Sequence, residues 1–120
     1  MKIRAMRPSD INAVLSFYEA FIQISMFPLI NLRDNGLSSQ HSDPPARSVE
    51  GWIAQDQIGI RGVVSVTHEG AVMPVLPDGD FGLWAAVAKS LKNRMLLGIL
   101  GEAGQVRAGL TALRLSLIHI

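Results

Sequence analysis

The chain has 120 residues, 48% of them apolar, with a mean hydropathy of +0.27. That suffices for one domain with a buried core and excludes compositional disorder. The formal charge is +1, and it is evenly spread: residues 1–50 hold five basic and five acidic side chains, and residues 51–120 hold six and five. No part forms the basic field that attracts nucleic acid or an anionic membrane, so neither is expected as a partner. Cysteine is absent, which excludes disulfides, thiolate metal sites and cysteine nucleophiles. The first residues are charged at every second or third position and lack the apolar stretch of a secretory signal, and no segment has about 20 uninterrupted apolar residues. A cytoplasmic protein is the expectation.

Lys2-Ile3-Arg4-Ala5 alternates with the period of a strand, Ile3 and Ala5 on one side, Lys2 and Arg4 on the other. Arg7-Pro8-Ser9-Asp10 ends it and opens a helix, with Ser9 or Asp10 as N-cap. Val14, Phe17, Tyr18, Phe21 and Ile22 form its apolar stripe. Pro28 suits the first turn of a second, short helix, and Gly36 its left-handed C-terminal residue. Residues 37–50, with Pro44-Pro45, read as a loop.

Three strands are expected at 51–55, 60–67 and 71–76, as an antiparallel meander whose turns contain Gly59 and Gly70. Asp80 is placed to cap a helix with the stripe Trp84, Val87, Ala88 and Leu91. The apolar run 95–100 reads as a strand covered on both faces, and a last helix from about Ala103 carries Val106, Leu110 and Leu113. The fold class is therefore α/β, with a mixed, mostly antiparallel sheet and helices on both faces.

Several residues carry possible chemistry, each with a plainer reading. His68-Glu69, at a hairpin turn, and His41, in the loop with Asp43, are expected to be solvated surface groups. Trp52, Trp84 and Tyr18 fall on apolar faces and are expected in the core, Tyr18 with a wet hydroxyl. Glu102, past a strand end, could accept a proton from an amine, but one carboxylate makes no site. Ser65 and Ser90 lack a nucleophile's context. No spacing of histidines and carboxylates matches a metal site.

The element order, with Ile3-Arg4 and Arg7-Pro8-Ser9-Asp10 at its start and Val72-Met73-Pro74 before the loop at Phe81-Gly82, resembles the GNAT acetyltransferase superfamily over residues 1–113. The resemblance implies an acyl-CoA N-acyltransferase fold, without its last strands here, and acetyl transfer from acetyl-CoA to a small-molecule amine. It implies cofactor contacts at Met73, Val75, Phe81 and Gly82. The chain departs from the family's Arg/Gln-x-x-Gly-x-Gly/Ala loop: Pro77 stands at the Arg/Gln position, Asp78 where glycine is common and Asp80 at the first glycine. A pyrophosphate there needs free N–H groups at a helix N-terminus, and two carboxylates oppose it, each by on the order of 1 kcal/mol. Where the family often has a proton-donating Tyr, this chain has Leu110, and Ala103 and Val106 replace other residues of that motif.

Such a pattern resembles the degenerate N-terminal copy in bacterial tandem GNAT proteins, as do the stretch from Met26-Phe27-Pro28-Leu29 to Asn31-Leu32-Arg33 and Gly98-Ile99-Leu100-Gly101-Glu102. It implies a second, catalytic GNAT domain in cis as partner, with no catalytic residue here and little or no acetyl-CoA binding by this part alone. Two other readings are a single active GNAT enzyme with a diverged loop, and a non-enzymatic small-molecule or protein-binding domain on a similar sheet. Leu115-Ser116-Leu117-Ile118-His119-Ile120 matches one reading frame of a sequencing-adapter end. The expected division is a GNAT-like domain over 1–114 and a non-native tail over 115–120. An open apolar edge at 95–100 would then make the chain prone to associate.

Overall fold

Four of the five strands run antiparallel, and the fifth lies parallel beside the fourth, in the order β1-β2-β3-β4-β5. The computed structural model describes the backbone of residues 1–117 and the side chains of residues 1–113. In chain order the elements are β1 (Lys2–Ala5), a 3-10 turn (Pro8–Asp10), α1 (Ile11–Ala20), α2 (Ile22–Asn35) and a second 3-10 turn (Ser38–Gln40). Then come β2 (Val49–Gln55), β3 (Ile60–Thr67), β4 (Ala71–Val75), α3 (Leu83–Ser90), β5 (Gly98–Ile99) and α4 (Ala103–Leu117). The mixed α/β sheet and its antiparallel meander are as the sequence leads one to expect. Of the expected tail 115–120, only the backbone of 115–117 is described, inside α4, and 118–120 lie outside the described residues.

Strand alternation splits the core into two layers. Ile53, Val63, Met73 and Val75 point to the side covered by α1 and α2, where they meet Val14, Phe17, Tyr18, Leu29 and Leu32. Their neighbours Trp52, Ala54, Val64, Val66 and Val72 point to the other side, against Leu83, Trp84 and Val87 of α3, Leu91 just after it and Leu113 of α4. Both tryptophans are core residues, as expected, and so is the α3 stripe Trp84, Val87, Ala88 and Leu91. The central strands are β-branched and buried on both faces because each face carries a helical layer.

Several local expectations are corrected. Asp10 stands at the N-cap of α1 as expected, but its side chain makes no cap bond to the helix; its Oδ2 turns back to accept from the Arg7 backbone N–H at 2.8 Å, since Arg4 holds the same carboxylate. Pro28 lies inside α2, not in a first turn, because α2 starts at Ile22 immediately after a one-residue break at Phe21. A buried proline ring is tolerated there since tertiary packing overrides the lost backbone bond. Gly36 does end the helix with positive φ (67°), its N–H on the Leu32 carbonyl. The loop 37–50 is shorter than expected: a 3-10 turn occupies Ser38–Gln40 and β2 begins at Val49.

The run 95–100 yields a strand of only two residues, and Met95, Leu97 and Leu100 are exposed rather than covered on both faces. The reason lies in the strand it pairs with. Gly70 and Val72 offer their carbonyls toward β5, accepting from Leu97 N and Leu100 N. Two residues further along the same edge stands Pro74, which has no N–H to continue the ladder. On α4, Leu113 is buried and Val106 half-buried, whereas Leu110 is exposed, contrary to the expected stripe.

Tyr18 is corrected too. Its hydroxyl is buried, not wet, and is hydrogen-bonded to Ser65 of β3, with burial pushing its pKa up.

Candidate functional site

Two features meet at the C-terminal ends of β4 and β5: the turn into α3 and a cleft beside α2. In mixed sheets this end of a parallel pair is where ligands commonly bind.

The turn follows β4 through Leu76 and residues 77–82. Its backbone needs positive φ at Gly79 (112°), Phe81 (53°) and Gly82 (87°), the second unusual for a residue with a side chain. Asp80 organises it. Its Oδ1 accepts from Gly82 N at 3.0 Å, and its carbonyl accepts from Leu83 N at 2.7 Å. Two N–H groups at the start of α3 are thus taken by the turn itself, as an Asx-type turn takes them. Contrary to expectation Asp80 does not cap α3: Gly82 holds the cap position with no side-chain cap hydrogen bond, because the positive φ of Phe81 and Gly82 carries the chain two residues further before the helix starts.

The four residues named as cofactor contacts separate. Met73 and Val75 are fully buried, their side chains directed into the α1–α2 layer, and Asn31 Nδ2 lies 3.5 Å from Met73 Sδ. Phe81 is half-buried on the opposite face of the sheet, packed with the layer containing Ile3 and Trp84. Gly82 sits in the turn. Only the main chain of β4 and of the turn lies together.

Two side chains from the start of α4 complete this end of the sheet, and sequence reasoning did not assign either role. Glu102 caps α4: Oε1 accepts from Gly104 N at 3.0 Å and Oε2 from Gln105 N at 3.3 Å. Its carboxylate is therefore engaged in holding a helix start. Gln105 donates its Nε2 to the Leu76 carbonyl, tying α4 to the end of β4, and its Oε1 is buried with no partner among the described residues. A Glu three residues before Gln105, at a helix start, is a capping pattern legible in principle; the reach of Gln105 to β4 is not.

Where β4 and β5 part, a cleft of about 640 Å³ opens between α2 and the β5–α4 junction. Ile24, Met26, Phe27 and Pro28 form one wall, and Leu100, Gly101 and Glu102 the other. Gly101 runs close to the Pro74 ring: a side chain there would stand 3.3 Å from Pro74 Cγ. The volume falls in the usual range for small-molecule sites and the walls are mostly apolar. A second hollow, of about 770 Å³, lies by β1 and the β2–β3 turn. Three of its charged side chains are paired, Arg4 with Asp10 and Asp56 with Arg61 at 2.7 Å each, and Arg7 with Asp10 at 3.9 Å.

The remaining candidates take their plainer readings. His68 and Glu69 are exposed at the β3–β4 turn, and His41 is exposed with Nε2 2.7 Å from the Asn35 carbonyl. Ser65 is buried and Ser90 Oγ donates to the Ala86 carbonyl. Among the described residues no group of three or more His, Asp or Glu is placed to hold a metal, and no helix is long and apolar enough to cross a membrane.

Compared with family models, curated proteins and solved structures, the chain matches none.

Proposed function

We propose that this chain is a GNAT-like domain that supports acetyl transfer from acetyl-CoA to a small-molecule amine without performing it. The strand order, the parallel pairing of β4 with β5 and their separation at Pro74 support a frame of that kind. The observation that carries the non-catalytic part of the reading is the hydrogen bond from Gly82 N to Asp80 Oδ1. An N–H needed by a pyrophosphate is held by the chain's own carboxylate, and Pro77 offers no N–H. The phenol that the family uses as proton donor has no counterpart either. Leu110 stands where a phenol would be needed, and Tyr18, the one tyrosine of the chain, is buried in the α1–α2 layer. In this reading the chain works beside a second, catalytic GNAT domain and helps shape its substrate side.

Calorimetric titration with acetyl-CoA tests the proposal. The expected result is no saturable binding in the micromolar range; micromolar affinity would overturn the proposal and favour the diverged but active enzyme instead. The cleft beside α2 favours a second reading, a non-enzymatic ligand-binding domain, because its apolar walls are open. That reading predicts thermal stabilisation by an apolar small molecule and none by CoA compounds.

A further inference from the structure

In the hollow by β1 and the β2–β3 turn, the carboxylates are already engaged by the protein itself. Asp56 uses both oxygens on its own turn: Oδ1 accepts from Ile58 N at 2.8 Å and Gly59 N at 3.1 Å, and Oδ2 from Arg61 Nε at 2.7 Å. Asp10 is held at two points by Arg4, which also donates to Gln55 Oε1 from Nε at 3.2 Å and Nη2 at 3.0 Å. An arginine carries donors only, so the Gln55 atom that it meets is the oxygen, and the NH2 of that amide is left over. On the β1–β2 side of the hollow, the groups without a partner among the described residues are therefore donors: Gln55 Nε2, Lys2 Nζ and the Nη groups of Arg7, whose Nε stands 3.9 Å from Asp10. The locked turn holds Ile58 outward, 85% exposed, and with Met1 it gives the same hollow an apolar rim.

We propose that this hollow binds a small organic oxyanion, a carboxylate or phosphate ester on an apolar chain, with its head at Lys2, Arg7 and the Gln55 amide and its chain along Ile58 and Met1. Two properties of the site favour that chemistry. The Gln55 donor is oriented by Arg4 before any ligand arrives, so little ordering is left to the binding step. The charges around the hollow also leave an excess: the cations Lys2, Arg4, Arg7 and Arg61 stand against the carboxylates Asp10, Asp56 and Asp78, the last acting on Arg61. An excess of one charge suits a single head group and not a polyanion, in keeping with the even spread of charge along the chain. The space of about 770 Å³ is that of a small-molecule site. The proposal is independent of the acetyltransferase reading.

Titration of the whole chain with hexyl phosphate, hexanoate, inorganic phosphate and hexylamine, followed by two-dimensional amide NMR, tests it. The expected result is saturable binding of hexyl phosphate or hexanoate, with the Gln55 side-chain NH2 signals among those that move. The alkyl anion should bind at least about tenfold more tightly than inorganic phosphate, because its chain covers the apolar rim. Hexylamine should not bind. Gln55→Glu keeps an acceptor for Arg4 and replaces the free donor by a carboxylate oxygen, so it should weaken the anion at least about tenfold. Lys2→Gln, at an exposed position that the fold does not use, should weaken it about threefold or more. Ile58→Ser should bring hexyl phosphate down toward inorganic phosphate and leave inorganic phosphate unchanged. Lys89→Gln, exposed on α3, should change nothing. A preference between the two alkyl anions identifies the head group, and either one supports the site. Absence of saturation with both, equal binding of hexylamine, inorganic phosphate bound as tightly as hexyl phosphate, or anion binding that neither Gln55→Glu nor Lys2→Gln weakens, would each overturn the proposal.

Discussion

Arg4 of β1 and Asp10 before α1 form a two-point ion pair, with Nη1–Oδ2 and Nη2–Oδ1 both at 2.7 Å. Arg4 also donates to Gln55 Oε1 at the end of β2, and Asp10 Oδ2 accepts from Arg7 N. One pair thus fastens the edge strand to the turn that launches α1. The hydrogen bonds from Arg4 hold the Asp10 carboxyl down at about 2.

A pKa below the ordinary 3.8 means the folded state binds this proton less readily than the unfolded state. Asp10 therefore contributes stability in full above about pH 4 and loses it as pH falls toward 2. With the carboxylate only 11% exposed, Asp10→Asn should cost about 1–2 kcal/mol at neutral pH. Urea unfolding at pH 7 and pH 3 checks this. The difference between parent and variant should shrink at the lower pH, and a constant difference would place the cost elsewhere.

Removing the two carboxylates of the turn should improve it as an anion seat. Asp78→Gly with Asp80→Gly frees Gly82 N and removes two negative charges, each opposing a phosphate by on the order of 1 kcal/mol. The double variant should bind CoA at least about tenfold more tightly than the parent. If both bind equally weakly, charge at this turn is not what excludes the cofactor.

Tyr18 provides a spectroscopic test of the core, because it is the only tyrosine. Burial raises its pKa above the ordinary 10. The stability it contributes is present below pH 10 and lost as pH rises above that value, because the unfolded chain ionises first. Tyrosinate absorbance should therefore appear only together with loss of far-ultraviolet dichroism at alkaline pH. A smooth, non-cooperative titration near pH 10 would contradict the burial. Tyr18→Phe should cost about 0.5–1.5 kcal/mol, the usual worth of one such hydrogen bond.

The contact of α4 with α3 rests on Gly109. A side chain there would stand 2.5 Å from Trp84 Cη2 and 3.1 Å from Ile99 Cδ1. Alanine normally improves a helix interior by about 1 kcal/mol over glycine. Overpacking against a buried indole costs about 1–3 kcal/mol, and the clash should win. Gly109→Ala should therefore lower the unfolding midpoint and shift Trp84 fluorescence; a raised midpoint would show that α4 can move away freely.

Much of the frame was legible from the chain alone. The β-branched valines of 60–67 and the short glycine turns around it specify the meander, because strand propensity and turn residues are local properties. The spacing of Trp84, Val87, Ala88 and Leu91 likewise specifies which face of α3 is buried. The departure at Asp80 was visible as a residue type, and its carboxylate does take an N–H of the turn.

What the tertiary structure alone decided concerns partners distant in sequence. Asp10 could have capped α1 until Arg4 competed for it; Glu102 and Gln105 take on roles only once α4 lies against β4; and the apolar run 95–100 cannot extend its pairing because Pro74, more than twenty residues earlier, is its neighbour. Periodicity reports which face of an element is apolar, whereas what covers that face depends on where the other elements end. For that reason the run 95–100, expected to be covered on both faces, and Phe21 and Ile22, expected in the stripe of the first helix, are exposed in the fold.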